Sequence, residues 1–198
     1  MPCESHSIRP FLLPWLPKVE GMKRICAVAI SSVLLLSGCS STSTTQLEGF
    51  DGRPAQEIIT ELDQTPVADR ATNLMASIRA DELILSDQSG QLSIDMPADE
   101  FYISAAPYTT TTHECFYHSL TTCTGELANT PVKVTVVADN GETILEEDTI
   151  TYDNGFVGMW LPRNIDATLT IEHDGLKSTQ PISTGDDAPT CITTAELA

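Results

Sequence analysis

The sequence predicts a mainly β fold, an antiparallel sheet or small β-sandwich, with a short helical N-terminal part. Three observations lead there. From about Asp81 onward, apolar residues recur at every second position, the repeat of a strand with one buried face. Asn140-Gly141, Asn154-Gly155 and Asp174-Gly175 punctuate those runs, and such dipeptides favour tight hairpin turns. No βαβ rhythm and no internal repeat interrupts the pattern, which leaves strands joined by hairpins.

The helical part comes first. Pro54 to Leu62 reads as a short helix burying Ile58, Ile59 and Leu62. Thr65-Pro66 reads as an N-cap followed by a first-turn proline, with Asp69 in the first turn; Ala71, Leu74, Met75 and Ile78 then fall at helical spacing, which predicts a second helix. The strands follow as Leu92, Ile94 and Met96; Phe101, Ile103 and Ala105; Val132, Val134 and Val136; and Ala167, Leu169 and Ile171. Met75, Met96, Phe156 and Trp160 are expected in the core, and His173 at a solvated strand end. Thr109 to Thr112 opens a loop between strands, and loops on a rigid sheet commonly carry function.

The N-terminus sets the compartment. Met22-Lys23-Arg24 is followed by an apolar run from Ile25 to Leu36, too short to span a bilayer but suited to a signal-peptide core. It ends in Leu36-Ser37-Gly38-Cys39, which resembles the bacterial lipobox, with Cys39 as the lipid-bearing residue. The expected organisation is a mis-assigned upstream segment at 1–21 and a lipoprotein signal peptide at 22–38. A lipid anchor and polar tether at 39–52 precede a small α+β part at 53–98 and a β domain at 99–198. Ser40 after the anchor is not the Asp that often retains lipoproteins in the inner membrane. The expected location is therefore the periplasmic side of the outer membrane in a Gram-negative cell, or the outer face of the cell membrane otherwise.

Export changes the cysteine and charge arithmetic. With Cys3 and Cys26 discarded and Cys39 lipidated, Cys115, Cys123 and Cys191 remain. Three thiols in an oxidising compartment leave at least one outside any intramolecular disulfide. Removing Arg9, Lys18, Lys23 and Arg24 from ten basic residues, and Glu4 and Glu20 from 28 acidic ones, leaves six against 26, a net charge of −20. That surface repels nucleic acid and anionic lipid and concentrates cations; solubility accounts for most of it, and no Asp/Glu pair stands out as a site.

The chemistry-bearing stretch is His113-Glu114-Cys115-Phe116-Tyr117-His118-Ser119-Leu120-Thr121-Thr122-Cys123, with Cys191 in Thr190-Cys191-Ile192-Thr193-Thr194. Thiolate is the softest protein ligand and imidazole a common borderline one, so the set suits Cu(I), Zn(II) or iron. Cu(I) accepts two or three soft ligands without strict geometry, whereas zinc wants four near-tetrahedral ones. The spacing is not a familiar zinc-finger pattern, and on spacing alone a structural disulfide with incidental histidines stays open. Cys191 is expected to arrive on a C-terminal tail folded over the sheet. Chain entropy favours a Cys115–Cys191 disulfide, whose loop of roughly 75 residues stabilises by about 4–5 kcal/mol, over a short Cys115–Cys123 loop; local geometry can reverse that order. No CxxC is present, which weakens a thioredoxin-like oxidoreductase reading, and without a Gly-rich phosphate loop or Gly-x-Ser-x-Gly the nucleotide-binding and hydrolase readings have nothing to stand on.

The run Cys115-Phe116-Tyr117-His118-Ser119-Leu120-Thr121-Thr122-Cys123-Thr124-Gly125-Glu126-Leu127 resembles the signature of the CueP family of bacterial periplasmic copper-binding, copper-resistance proteins. Phe101 to Tyr108, Trp160 to Asn164 and Thr190 to Thr194 are similar as well, so the resemblance spans roughly Leu74 to Thr194. It implies a non-enzymatic copper-handling protein with Cu(I) as its cargo. Cys115, Cys123 and Cys191 match the family's three cysteines, and His113 and His118 its histidines. The family buffers periplasmic copper and delivers it to a copper-dependent superoxide dismutase; the lipobox departs from its soluble members. The alternatives are a thiol/disulfide redox protein that reduces Cu(II) or exchanges with a disulfide oxidoreductase, and a structural lipoprotein with an inert disulfide. Homodimerisation is left open.

Overall fold

The computed structural model describes residues 46–198. The segments 1–21 and 22–38, Cys39 and residues 40–45 of the polar tether lie outside them. Among the described residues no helix is long and apolar enough to cross a membrane.

The described residues run through helix α1 (Ala55–Asp63) and then ten strands: β1 (Met75–Ile78), β2 (Glu82–Asp87), β3 (Gly90–Asp95), β4 (Glu100–Tyr108), β5 (Pro131–Ala138), β6 (Thr143–Ile150), β7 (Val157–Pro162), β8 (Asp166–His173), β9 (Leu176–Ser183) and β10 (Cys191–Glu196). They form three sheets, ordered β1-β2-β3, β10-β4-β7 and β6-β5-β8-β9. Among the described residues the fold is mainly β with one short α-helix, as the period-two pattern predicts.

The sheets stack as layers. Phe101, Ile103 and Ala105 of β4 share one core with Val132, Val134 and Val136 of β5 and Ala167, Leu169 and Ile171 of β8. The opposite side of the middle sheet carries Tyr102 and Trp160, which belong to a second core with Ile58 and Ile59 of α1, Ala76 and Ile78 of β1, and Leu83 and Leu85 of β2. Strand β4 is consequently buried on both faces from Phe101 to Pro107. The alternation read in its sequence hid the second face because Tyr102 and Ser104 look like surface residues. Met96 and Phe156 are buried, while Trp160 is half-buried and packs on Tyr102.

Two hairpins form at the expected dipeptides: Asn140-Gly141 joins β5 to β6, and Asp174-Gly175, both at positive φ, joins β8 to β9. Four expectations are corrected. Asn154-Gly155 links β6 to β7, which lie in different sheets. Cys191 sits not on a tail draped over the sheet but within β10, which pairs parallel to β4 with Cys191 opposite Ser104. The helix expected after Thr65 is only a 3-10 turn, Val67–Asp69, followed by strand β1. Leu74, Ala76 and Ile78 are buried at period two, and pairing with β2 on one edge overrides a four-residue coincidence of helical spacing. For the same reason Met75, expected in the core, is 53% exposed.

Candidate metal centre

The site lies where the loop between β4 and β5 crosses the far edge of β1. Ile78 N donates to His118 O at 2.9 Å, and Leu120 N donates to Ala76 O at 2.9 Å. Segment 118–120 thus serves as a short extra strand, with Ser77 opposite Ser119. Pairing of this kind fixes side-chain direction, because adjacent residues point to opposite faces. His118 and Leu120 go inward and are fully buried.

Thr190 ties that crossing to the middle sheet. Its Oγ1 donates to Ile78 O at 2.8 Å and accepts from His118 N at 3.0 Å, and its carbonyl accepts from Ser104 N at 2.9 Å. The amides of Thr190 and Cys191 both donate to Phe116 O. One buried threonine therefore joins β1, the loop, β10 and β4. At its other end the loop docks on the Asn154-Gly155 turn, where Gly125 N donates to Asn154 O. A Cβ on Gly125 would stand 2.8 Å from the Gly155 carbonyl oxygen, and one on Gly155 (φ +79°) 2.6 Å from that of Gly125. Only glycines permit this approach.

Within this frame Cys115 and Cys191 form a disulfide, Cα–Cα 5.7 Å, and Cys123 is free and half-buried. This is the pairing that chain entropy favours. The Cys123 Sγ lies 3.6 Å from the Cys115 Sγ and 3.4 Å from Ser119 N, and the Cys191 Sγ lies 3.8 Å from His118 Nδ1. Among the described residues two sets of three ligand atoms lie within 4.8 Å of one another: His113, Cys115 and Cys123, and His118, Cys123 and Cys191. All five sequence-predicted ligand residues are accounted for in these sets. His173 is not among them; its Nδ1 is 2.7 Å from the Pro131 carbonyl at the end of β8.

The deepest part of the site was missed in the sequence. His118 Nε2 donates to Asp63 Oδ1 at 3.0 Å, and both side chains are essentially inaccessible. Asp63 also accepts from Tyr102 Oη at 2.7 Å, Ser104 Oγ at 3.2 Å and Asn154 Nδ2 at 2.7 Å. Four donors on one buried carboxylate offset its desolvation. Burial pushes the Asp63 pKa up, but His118 and these hydrogen bonds outweigh it and hold the carboxyl below its usual range. Burial pulls His118 down; the Asp63 charge and hydrogen bond prevail and lift it to about 9. A signal for Asp63 was present. Ala55, Ile59 and Asp63 are spaced four apart on the buried face of α1, and a carboxylate in the last turn opposes the helix dipole. An acidic residue placed against both rules has a partner elsewhere.

With Asp63 on Nε2, His118 presents Nδ1 to the sulfurs. Burial raises the Cys123 pKa, but His118, the Ser119 amide and Arg70 together bring it below its ordinary value; Arg70 also donates to the Cys123 carbonyl at 2.7 Å. His113 is different. It is exposed and makes no hydrogen bond among the described residues; its ring packs edge-on to Phe156, centroids 6.3 Å apart, while His118 lies 4.6 Å from the same ring. A lowered thiol pKa, two more sulfurs and two imidazoles give a soft donor set suited to a soft, low-coordinate ion.

Comparison with known proteins agrees with this chemistry. Residues 57–196 match the family described as "Periplasmic copper-binding protein CueP". The chain is also similar to a solved structure titled "Crystal Structure of S.CueP", with 39% identity and a TM-score of 0.72, over 77% of this chain and 93% of that one. No curated protein matches. The protein belongs to the CueP family of periplasmic copper-binding proteins.

Proposed function

We propose that the reduced protein sequesters Cu(I) in the cell envelope, using Cys115, Cys123 and Cys191 with His113 and His118, and hands the ion on to a cuproenzyme such as a copper-dependent superoxide dismutase. The observation that carries this reading is the convergence of three sulfurs and two imidazoles from residues 113–123 and 191. Soft donors of this kind favour Cu(I) over the hard ions Mg(II) and Ca(II), which prefer oxygen. Loading follows reduction. A partner dithiol breaks the Cys115–Cys191 bond, gives two thiols, and closes its own disulfide. The acidic surface raises the local cation concentration, and a lipid on Cys39 holds the protein at the membrane. Titration of the reduced protein with Cu(I) against a competing chelator tests the site. The Cys115→Ser/Cys123→Ser double variant is expected to lose orders of magnitude in affinity, and an unchanged affinity contradicts the ligand set. A Cys39 peptide from the membrane fraction should carry a diacyl or triacyl mass.

One contact favours a second reading. The Cys123 Sγ, 3.6 Å from the Cys115 Sγ, is placed to attack that sulfur, forming Cys115–Cys123 and expelling the Cys191 thiolate. Paired thiols can also reduce two Cu(II) to two Cu(I), closing one disulfide and releasing two protons. Steady consumption of reductant under Cu(II), beyond one disulfide per molecule, separates this redox role from sequestration.

A further inference from the structure

We propose that the reduced protein offers one Cu(I) ion two overlapping seats that share Cys123, an outer seat completed by Cys115 and His113 and an inner seat completed by Cys191 and His118. This rests on the copper-binding reading above and divides its ligand set by role.

The division comes from the geometry. Each of the two sets of mutually close donors contains Cys123, one further sulfur and one imidazole, and neither set contains both imidazoles. The two imidazoles stand in opposite environments. His118 is fully buried, and its Nε2 is held by Asp63, which is held in turn by Tyr102, Ser104 and Asn154. A ring fixed in this way keeps one nitrogen and one direction for the ion. His113 is exposed, has no hydrogen bond among the described residues, and lines a surface cleft with Tyr108, Thr112 and Thr193. The inner seat is therefore built to retain, the outer seat to receive and release.

Passage between them needs no change of oxidation state. Cu(I) accepts two or three soft ligands without strict geometry. With Cys123 bound throughout, the ion gains the Cys191 thiolate before it loses the Cys115 thiolate, and exchanges His113 for His118 as the Nδ1 proton of His118 is released to solvent. The disulfide removes one sulfur from each seat, so oxidation disables both together.

The test uses the purified protein, reduced with dithiothreitol, freed of it and loaded anaerobically with one equivalent of Cu(I). Transfer to and from bathocuproine disulfonate is followed by stopped flow, and equilibrium affinity is measured by competition. His113→Ala is expected to lose about tenfold in transfer rate and less than that in affinity; His118→Ala is expected to lose about tenfold or more in affinity and to release faster. Asp63→Asn should follow His118→Ala. Parallel losses of rate and affinity in the His113 and His118 variants overturn the proposal. Because a buried His118 variant can misfold, 15N spectra of the unaltered protein give a second reading. The His118 Nδ1 resonance should shift on loading and the His113 ring should shift little; equal shifts, or a shift of His113 alone, overturn it. Failure of the unaltered reduced protein to take up Cu(I) would instead remove the copper-binding reading itself.

Discussion

The sulfur cluster has two sides that are held in different ways. On the buried side, Asp63, Tyr102, Ser104, Asn154 and Thr190 satisfy one another and fix His118 through contacts that reach 39 to 112 residues along the chain. On the open side, the loop is secured chiefly by Glu126, which accepts from the amides of Thr109, Thr110 and Thr111 at 3.3, 2.9 and 2.6 Å. A buried polar network costs stability when one member is removed, because the others lose their partner in a low-dielectric interior. An exposed carboxylate cradled by amides costs little globally, since water replaces it. Damage to the first side should therefore register as unfolding, and damage to the second as local loosening.

The largest effect should come from the covalent link that spans both sides. The Cys115–Cys191 bond joins residues 76 apart, and chain entropy assigns it about 4.5 kcal/mol. Reduction should lower the guanidinium midpoint accordingly, and an unchanged midpoint would show that the bond constrains the unfolded chain little.

Next comes the buried ion pair. Asp63→Asn should cost about 3 kcal/mol or more in denaturant unfolding, since it leaves His118 without its charge partner. The pH dependence has a definite sign. His118 is raised from 6.5 to about 9, so its contribution is complete below about 6.5 and disappears as pH rises through 9. Asp63 is lowered from 3.8, so its contribution is present above that value and is lost on acidification. Stability from the pair should form a plateau between these limits, and Asp63→Asn should flatten the alkaline decline. Cys123, lowered from 9.0, acts in the opposite sense, so the comparison is cleanest in a Cys123→Ser background.

The sequence and the structure diverge along the same line. Strands β5 and β8 and the turns at Asn140-Gly141 and Asp174-Gly175 were legible because period-two burial and hairpin chemistry are local. The five residues that converge at the site were legible because thiols and imidazoles are rare in this chain. Asp63 was not, because among many acidic residues only its place on the apolar face of α1 sets it apart. Strand β1 was misread because its edge partners, β2 and the site loop, are not visible in a four-residue spacing.

The smallest effect sharpens the contrast. The amides of Thr111 and Thr110, with the hydroxyls of Thr109 and Thr110, hold Glu126 down to about 2 from its ordinary 4.5. Its contribution is present above 4.5 and fades as pH falls toward 2. Glu126→Gln should speed hydrogen exchange at Thr109 to Thr111 while leaving the unfolding midpoint nearly unchanged. A large drop in midpoint would mean that the open side is as firmly integrated as the buried one.

The most direct measurement is Cu(I) affinity of the oxidised and reduced protein, by competition with the same chelator at the same pH. Oxidised, the cluster offers one thiol; reduced, it offers three. Reduction is expected to raise affinity sharply and bring one tightly held ion per molecule. Equal affinity in the two states would contradict a copper site built from Cys115, Cys123 and Cys191.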